Sequence, residues 1–423
     1  MDIDLTARQA VRTGMLVAWL AAWGLLTSAA CNSSTPYGIN MADGGDSNTQ
    51  ATIRTNDWNA GFRWARIYIR WDKVQQNAPT STNPNYDWSD TDALVTALAN
   101  DPNRQWSIIA ILRGTPTWAR GNITRTCSDG VRPWSVPPMA YYAAIGTSPF
   151  YAFVRDAAKR YGGGIAAWEL WTEPDTCSRW QGQPSDYVNL ILGPGYDGIR
   201  DGNVAVNNTV QVVVAPALAG CTGGFGKWLT NSQGYLVRPI DFYSCHSYGS
   251  VASVESNLTA ADPFSACCAS GDPHCPLNPN GTVHCVAEYW LTEFGFGSQN
   301  GDGTPAYTGD VCSYANDASP GSAATTILKD CDGTRGNHYC SKAFYFDDDD
   351  SRYSCGSGCP YCWAVHPDQC PPSCPSNNCP WTTLPCDVGL MHTDASVRTK
   401  FCTIEQYMRT AEGLTPARVS PCQ

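Results

Sequence analysis

Ala167-Trp168-Glu169-Leu170-Trp171-Thr172-Glu173-Pro174 has the pattern of a buried β-strand that ends on a carboxylate. Pro174 lacks a backbone N–H, so it stops the strand immediately after Glu173. Side chains alternate between the two faces of a strand, which predicts that Glu169, Trp171 and Glu173 share one face. In parallel β/α proteins, catalytic groups are presented from such strand ends. This stretch therefore predicts a parallel sheet with a functional carboxylate at its carboxyl edge.

A second stretch repeats the design: Tyr289-Trp290-Leu291-Thr292-Glu293-Phe294-Gly295 is a strand that ends on Glu293 and a glycine. In a parallel barrel the carboxyl ends of different strands converge on one face. Hydrolysis of a glycosidic bond needs two carboxyl groups on either side of that bond, ~5 Å apart in enzymes that retain configuration. We therefore expect Glu173 and Glu293 to face each other across one site.

The rest of the chain alternates short apolar runs with longer amphipathic segments, which is the pattern of β/α units around a parallel sheet. The predicted strands lie near residues 37–40, 65–69, 107–112, 165–170, 210–215, 240–244, 289–292 and 343–346. Predicted helices lie near 90–98, 150–161, within 185–200 (weakened by Gly193-Pro194-Gly195), 323–329 and 400–411. This tally predicts one α/β domain, a (β/α)8 TIM barrel over residues 31–423, with no internal boundary.

Composition agrees with an ordered enzyme-sized domain and excludes one class of partner. The chain has 423 residues, 43% of them hydrophobic, and a formal net charge of -11. No basic patch is available to neutralise phosphates, so nucleic acid is not expected as a partner. The acidic surface also disfavours anionic polymers as substrates, unless a local pocket overrides the net field.

Cysteine content and the N-terminus predict export. The chain carries 21 Cys, whereas cytosolic thiols stay reduced and are rarely so abundant. Residues 1–30 have a basic start, an apolar run too short to span a bilayer, and small residues before Cys31, as in a secretory signal. The site resembles a bacterial lipoprotein cleavage site, although Ser28 stands where leucine is usual. We expect either lipidation of Cys31 with membrane anchoring at the cell surface, or ordinary cleavage and secretion.

Two cysteine-rich segments interrupt the barrel pattern, at residues 261–285 and 351–386. Both are rich in turn residues and follow predicted strands, so we expect disulfide-stapled loops on the C-terminal face. The Cys359-x2-Cys362 spacing also matches half a zinc site, but export favours disulfides. The acidic run at 347–350 matches either a calcium loop or a solvated acidic loop, and we favour the solvated loop.

Six segments in barrel order resemble the clan A glycoside hydrolases, nearest to glycoside hydrolase family 39 and its relatives. They are the two glutamate stretches, Gly61–Arg66, Ile111–Ala119, Asp241–Tyr248, and Val388–Met391 followed by Lys400-Phe401. The likeness covers roughly residues 37–411, with gaps at the cysteine-rich loops. It implies a retaining glycosidase that acts on a carbohydrate, most simply a β-linked oligo- or polysaccharide, with no cofactor and no metal.

The resemblance also implies roles for individual residues. Glu173 would be the acid/base, with a pKa raised by burial and by the charge of Glu293, the nucleophile. The supporting or substrate-binding residues would be Arg66, Trp118, Trp171, Thr172, His246 and Tyr248. Arg66 and Tyr248 would keep Glu293 ionised. For Trp168, a sugar platform and a place in the barrel core remain equally open.

Thr172 departs from the family pattern, which usually has asparagine before the acid/base. Threonine can donate and accept, but it is shorter than asparagine. This difference keeps a non-catalytic carbohydrate-binding surface protein open as an alternative function. A cysteine-rich scaffold with an incidental barrel is a weaker alternative.

Overall fold

A computed structural model describes residues 35–41, 47–127, 132–206, 212–221, 225–229, 237–238, 240–248, 250–261, 289–296, 307–308, 311–312, 318–335, 340–346, 399–411, 413 and 422. The predicted export signal, Cys31 and residues 262–285 and 351–386 lie outside these ranges. The same holds for the alternative metal sites at 347–350 and at Cys359-x2-Cys362. The predictions made for those segments stay predictions.

Eight parallel strands close into a barrel, which confirms the predicted (β/α)8 architecture. In barrel order they are β1 (Tyr37–Asn40), β2 (Trp64–Arg70), β3 (Ser107–Arg113), β4 (Ala167–Leu170), β5 (Val212–Leu218), β6 (Phe242–His246), β7 (Tyr289–Phe294) and β10 (Lys342–Tyr345). A short antiparallel pair, β8 (Tyr307–Thr308) and β9 (Val311–Cys312), lies outside the barrel sheet. Each predicted strand overlaps an observed one, because buried apolar runs are the signal of parallel strands.

The helices of the described residues are α1 (Ser47–Ala60), α2 (Trp71–Val74), α3 (Ser89–Ala99), α4 (Pro149–Tyr161), α5 (Pro184–Tyr187), α6 (Gly193–Ala205), α7 (Phe225–Leu229), α8 (Val251–Ala261), α9 (Ala318–Cys331) and α10 (Thr399–Ala411). Short 3-10 helices occur at Thr117–Ala119 and Pro133–Ser135. Helix α1 was not predicted, because its sequence is polar and offers few apolar anchors such as Ile53 and Ala60.

The glycine-proline segment after residue 192 does not interrupt its helix. A π-helical turn, Val188–Leu192, joins α5 to α6, and Pro194 lies directly after this wider turn, in the first turn of α6. Gly198 and Gly202 let α6 lie directly on α4. A Cβ at Gly202 would come within 2.5 Å of the Arg155 carbonyl oxygen. The weakening expected from Gly193-Pro194-Gly195 is wrong, because α6 begins at this segment and continues without a break to Ala205.

Two apolar layers fix the sheet. The larger one fills the space between the strands and the outer helices and includes Trp168. The smaller one lies inside the barrel and includes Trp64, Trp290 and Phe344. The rings of Trp64 and Trp290 meet edge to face at 5.3 Å. These rings fill the barrel near the start of β2 and β7, so polar side chains that follow them line the opposite, C-terminal end.

Four disulfide bonds lie within the described residues: Cys127–Cys177, Cys221–Cys245, Cys331–Cys340 and Cys402–Cys422. Such bonds persist in oxidising compartments, so they indicate an exported protein. Within the ranges described, no helix is both long and apolar enough to cross a membrane.

Candidate active site

The chain turns sharply where β4 ends, and this turn places Glu173. Trp171 has φ 72° and Glu173 has φ 47°, a left-handed backbone that bulky residues rarely adopt. Backbone bonds hold the turn, since Trp171 N–H donates to the Leu112 carbonyl and Glu173 N–H to that of Ala217. Strand alternation ends at Leu170. The prediction that Trp171 shares a face with Glu169 is therefore wrong.

Glu293 reaches the same site through an irregularity in β7. Trp290 packs inside the barrel, so strict alternation would turn a side chain three residues later outward. The pairing of β6 with β7 shifts between Cys245 and His246, so that Cys245 lies opposite Leu291 but His246 lies opposite Glu293. Bulges of this kind re-aim side chains beside active sites. The shift accounts for an inward Glu293.

Arg66 lies at the centre of the site and is fully buried. Its Nη1 contacts Glu293 Oε1 at 2.6 Å, and its Nη2 and Nε contact the two oxygens of Glu169 at 2.6 and 3.1 Å. Nη1 also donates to Asn40 Oδ1 at 2.5 Å. Asn40 in turn donates to the backbone carbonyls of Thr292 and Tyr345. One guanidinium thus neutralises two buried carboxylates and is fixed by four strands of the barrel.

The environment of Glu293 stabilises its ionised form. Tyr248 donates to Oε2 at 3.0 Å and Tyr68 to Oε1 at 3.3 Å, in addition to Arg66. Burial alone would raise the pKa of Glu293, but the charges of His246, Arg66 and Arg179 outweigh it and lower the pKa to about 2. Glu293 is therefore a carboxylate over the whole physiological pH range.

His246 bridges the two glutamates. Its Nδ1 lies 2.7 Å from Glu173 Oε1 and 3.3 Å from Glu293 Oε2, and its Nε2 lies 3.4 Å from Arg66 Nη2. A carboxylate can only accept, so Nδ1–H donates to Glu173. One ligand atom from each of the three residues lies within 4.8 Å of the others. The set could hold a cation, but the bound guanidinium groups compete for both carboxylates.

Arg179 changes the expected protonation of Glu173. Its Nε lies 2.5 Å from Glu173 Oε2. Burial alone would raise the pKa of Glu173. The Arg179 charge and the His246 hydrogen bond outweigh burial, so the pKa of Glu173 lies below its ordinary value. The expectation of a raised pKa is wrong for this geometry, because Arg179 supplies a cation that no sequence motif predicted.

The aromatic candidates and Thr172 occupy different surroundings. Trp171 is fully buried, packs on Trp180 at 5.2 Å, and donates from Nε1 to the Arg179 carbonyl. Trp118 is only partly buried and donates to the Gln75 carbonyl. Thr172 is fully buried, and within the described residues its hydroxyl has no hydrogen-bond partner.

The geometry brings together Arg66, Glu173, His246, Tyr248 and Glu293, and it keeps Trp171 in the core. Four contributors were missed: Asn40, Tyr68, Glu169 and Arg179. The first three lie at inward positions of their strands. Asn40 lies opposite Arg66, Tyr68 lies two residues after Arg66, and alternation along β4 places Glu169 inward. Strand register and alternation could therefore have found them. Arg179 lies in a loop with no periodic signal.

No family model and no curated protein matches this chain. Solved structures do. A family 39 glycoside hydrolase from Bacteroides cellulosilyticus WH2 superposes with a TM-score of 0.56 at 15% identity, over 88% of this chain. GH5_18 from Streptomyces cattleya, solved with GlcNAc, superposes with a TM-score of 0.50 at 13% identity, over 90% of this chain and 82% of its own. The barrel fold is shared with glycoside hydrolases.

A variant of that Streptomyces cattleya protein, solved with Manb1-4GlcNAc, gives a TM-score of 0.51 at 12% identity. This chain spans 63% of the length of the Bacteroides protein. At these identities the likeness establishes the fold, and the chemistry has to be argued from the side chains.

Proposed function

We propose that this protein is a retaining glycoside hydrolase that cleaves a carbohydrate, with Glu293 as nucleophile and Glu173 as acid/base. The observation that carries the proposal is the separation of the two carboxylates, whose nearest ligand oxygens lie within 4.8 Å. Retaining enzymes hold the pair about 5–5.5 Å apart, whereas inverting enzymes need about 6.5–9.5 Å for a water molecule. The fold shared with solved glycoside hydrolases supports the same reaction class.

The proposal assigns each residue a step. Glu293 attacks the anomeric carbon as a carboxylate, which Arg66, Tyr68 and Tyr248 stabilise before the reaction. Glu173 donates a proton to the departing oxygen and then, as a carboxylate, removes one from the water that releases the sugar. Nδ1–H of His246 contacts Glu173 Oε1 and orients the carboxyl group for both steps.

Thr172, Trp118 and Trp171 complete the proposed site. The Thr172 hydroxyl precedes the acid/base but is fully buried, so we assign Thr172 a supporting role rather than a substrate contact. Trp118 keeps part of its ring accessible and can pack on a sugar face. Trp171 is assigned a supporting role, because its buried ring and its bond to the Arg179 carbonyl hold the loop that follows Glu173.

Azide rescue tests the nucleophile. We expect the wild type to hydrolyse members of a panel of 4-nitrophenyl β-glycosides and Glu293→Ala to be inactive. Azide should restore activity to Glu293→Ala and give a glycosyl azide of inverted configuration. Glu255→Ala is the matched control, since it removes a 2.6 Å ion pair between α8 and Arg335, in the turn after α9, outside the site. An active wild type without rescue would show that Glu293 is not the nucleophile.

One observation favours the non-catalytic alternative, a carbohydrate-binding protein on a glycosidase barrel. Arg179 holds Glu173 in its ionised form, and an ionised Glu173 cannot act as an acid. Under this alternative the wild type and Glu293→Ala would be equally inactive across the panel while both still bound polysaccharide. Any turnover that depends on Glu293 eliminates it.

A further inference from the structure

Arg179 lies in the loop between β4 and α5, on the C-terminal face beside Glu173. One disulfide and one hydrogen bond fix this loop. Cys177, two residues before Arg179, is bonded to Cys127, and the Arg179 carbonyl accepts a hydrogen bond from Trp171 Nε1. The guanidinium is therefore held against the acid/base by a stapled loop. The position of the Arg179 guanidinium is therefore determined by the fold of this loop.

The two arginines of the site differ in how many of their guanidinium nitrogens contact a partner. Arg66 is completely buried, and all three of its nitrogens contact Glu169, Asn40 or Glu293. The Arg179 side chain is 24% exposed, and its contact is Nε with Glu173. Among the residues that the structure describes, none accepts a hydrogen bond from its two terminal nitrogens. A planar guanidinium with two spare nitrogens can bind a carboxylate or sulfate in bidentate fashion.

The charge balance changes when Glu173 takes up the proton that it needs as an acid. Glu169 and Glu293 then remain ionised, and Arg66 already contacts both. Arg179 loses its carboxylate partner while most of its side chain stays buried. An unpaired buried charge is unfavourable, so a neutral sugar leaves the guanidinium competing to keep Glu173 ionised. An anion on the substrate would remove that competition.

We infer that Arg179 is a specificity-determining residue that selects a sugar carrying an oxyanion, either a uronic acid carboxylate or a sulfate ester. The inference rests on the proposed function and names its substrate class. The substituent binds the guanidinium and releases Glu173 to be protonated. The overall charge of -11 disfavours anionic polymers at long range, but a single cation inside a cleft sets the local field.

The test compares sugars that differ at C6: 4-nitrophenyl β-D-glucoside, its 6-O-sulfate and the β-D-glucuronide, with the corresponding galacto series. 4-Nitrophenolate departs without protonation, so the charge preference is measured apart from the acid step. We expect the wild type to prefer an acidic member and Arg179→Ala to lose about 10- to 100-fold in kcat/KM on that member, mainly through KM. The readout is the ratio of kcat/KM on the acidic member to kcat/KM on its neutral counterpart, which should fall in Arg179→Ala whatever the effect on the neutral glycoside. Comparing the glucuronide with the 6-O-sulfate shows whether Arg179 binds a carboxylate or a sulfate ester.

Arg238→Ala is the matched control, because it also removes an arginine–carboxylate pair, with Asp197 at 2.5 Å, but lies outside the site. Equal or better hydrolysis of neutral members by the wild type, with Arg179→Ala affecting both kinds alike, would overturn the inference and leave the proposed function intact. If nothing is hydrolysed, affinity electrophoresis in polyuronate, sulfated and neutral gels decides. If the wild type is retarded in either acidic gel and Arg179→Ala is not, the result supports charge selection without turnover. If the wild type is not retarded, both the charge selection and the proposed function are overturned.

Discussion

Arg66 determines the charge state of the barrel interior more than any other residue. It contacts Glu169 and Glu293, both buried, and its own side chain has no exposure. Replacing Arg66 by methionine leaves two buried carboxylates uncompensated. We expect a loss of about 3–5 kcal/mol in the free energy of unfolding, together with loss of turnover. Denaturant unfolding measures the first and aryl glycoside hydrolysis the second.

The double variant Arg66→Met/Glu169→Gln separates stability from chemistry. Removing the Glu169 charge should recover a large part of the lost stability, because one of the two unpaired carboxylates is gone. Activity should not return, since Glu293 still lacks its cation. A double variant no more stable than Arg66→Met would contradict this account of the network.

Glu293 also makes the stability of the protein depend on pH. Its pKa is lowered from the ordinary 4.5 to about 2, so the folded protein binds fewer protons than the unfolded chain between these values. Its stabilising contribution is therefore complete above about pH 4.5 and disappears as pH falls through about 2. We expect the stability difference between wild type and Glu293→Gln to shrink across that window, measured by urea unfolding at fixed ionic strength. A difference independent of pH would contradict the shift.

The sequence predicted the site residues that follow strand ends and missed those that depend on contacts between distant segments. Glu173, Glu293 and Arg66 stand at predictable strand positions, and the structure brings them together. Arg179 meets Glu173 only because a loop folds back, so no local pattern predicted it. The predicted pKa of Glu173 was wrong for that reason.

The barrel strands were predictable because each is a short apolar run with turn residues after it. Local rules failed where the backbone departs from regular geometry. Trp171 has a positive φ and turns into the core, and the shift in β7 brings Glu293 inward against simple alternation. Both departures occur beside the glutamate pair, where strained geometry positions functional groups.

Packing of α4 against α6 gives a prediction for these elements. A Cβ at Gly202 would lie 2.5 Å from the Arg155 carbonyl oxygen, and neither helix backbone can yield cheaply. We expect Gly202→Ala to lower the free energy of unfolding by about 1–3 kcal/mol. Gly163→Ala is the control, since no atom lies within 4 Å of its Cβ position. Equal effects of the two substitutions would show that close helix packing is not the cause.

Two of the described disulfides lie at opposite ends of the barrel. Cys127–Cys177 lies in loops at the C-terminal face and holds the segment that carries Arg179. Cys331–Cys340 joins the end of α9 to the residues just before β10, which places it at the opposite face. Barrel enzymes build their sites on the first face, whereas the second face serves stability.

This division predicts different outcomes for the two bonds. Replacing either pair by serines should destabilise the protein, by about 4 kcal/mol for the separation of 50 residues and about 3 kcal/mol for that of 9, as loop-closure entropy predicts. Loss of Cys127–Cys177 should also change kcat/KM and its pH profile, because Arg179 is no longer held on Glu173. Loss of Cys331–Cys340 should leave both unchanged at temperatures where the variant is folded. If both variants kept the wild-type pH profile, the stapled loop would have no part in setting the protonation of Glu173.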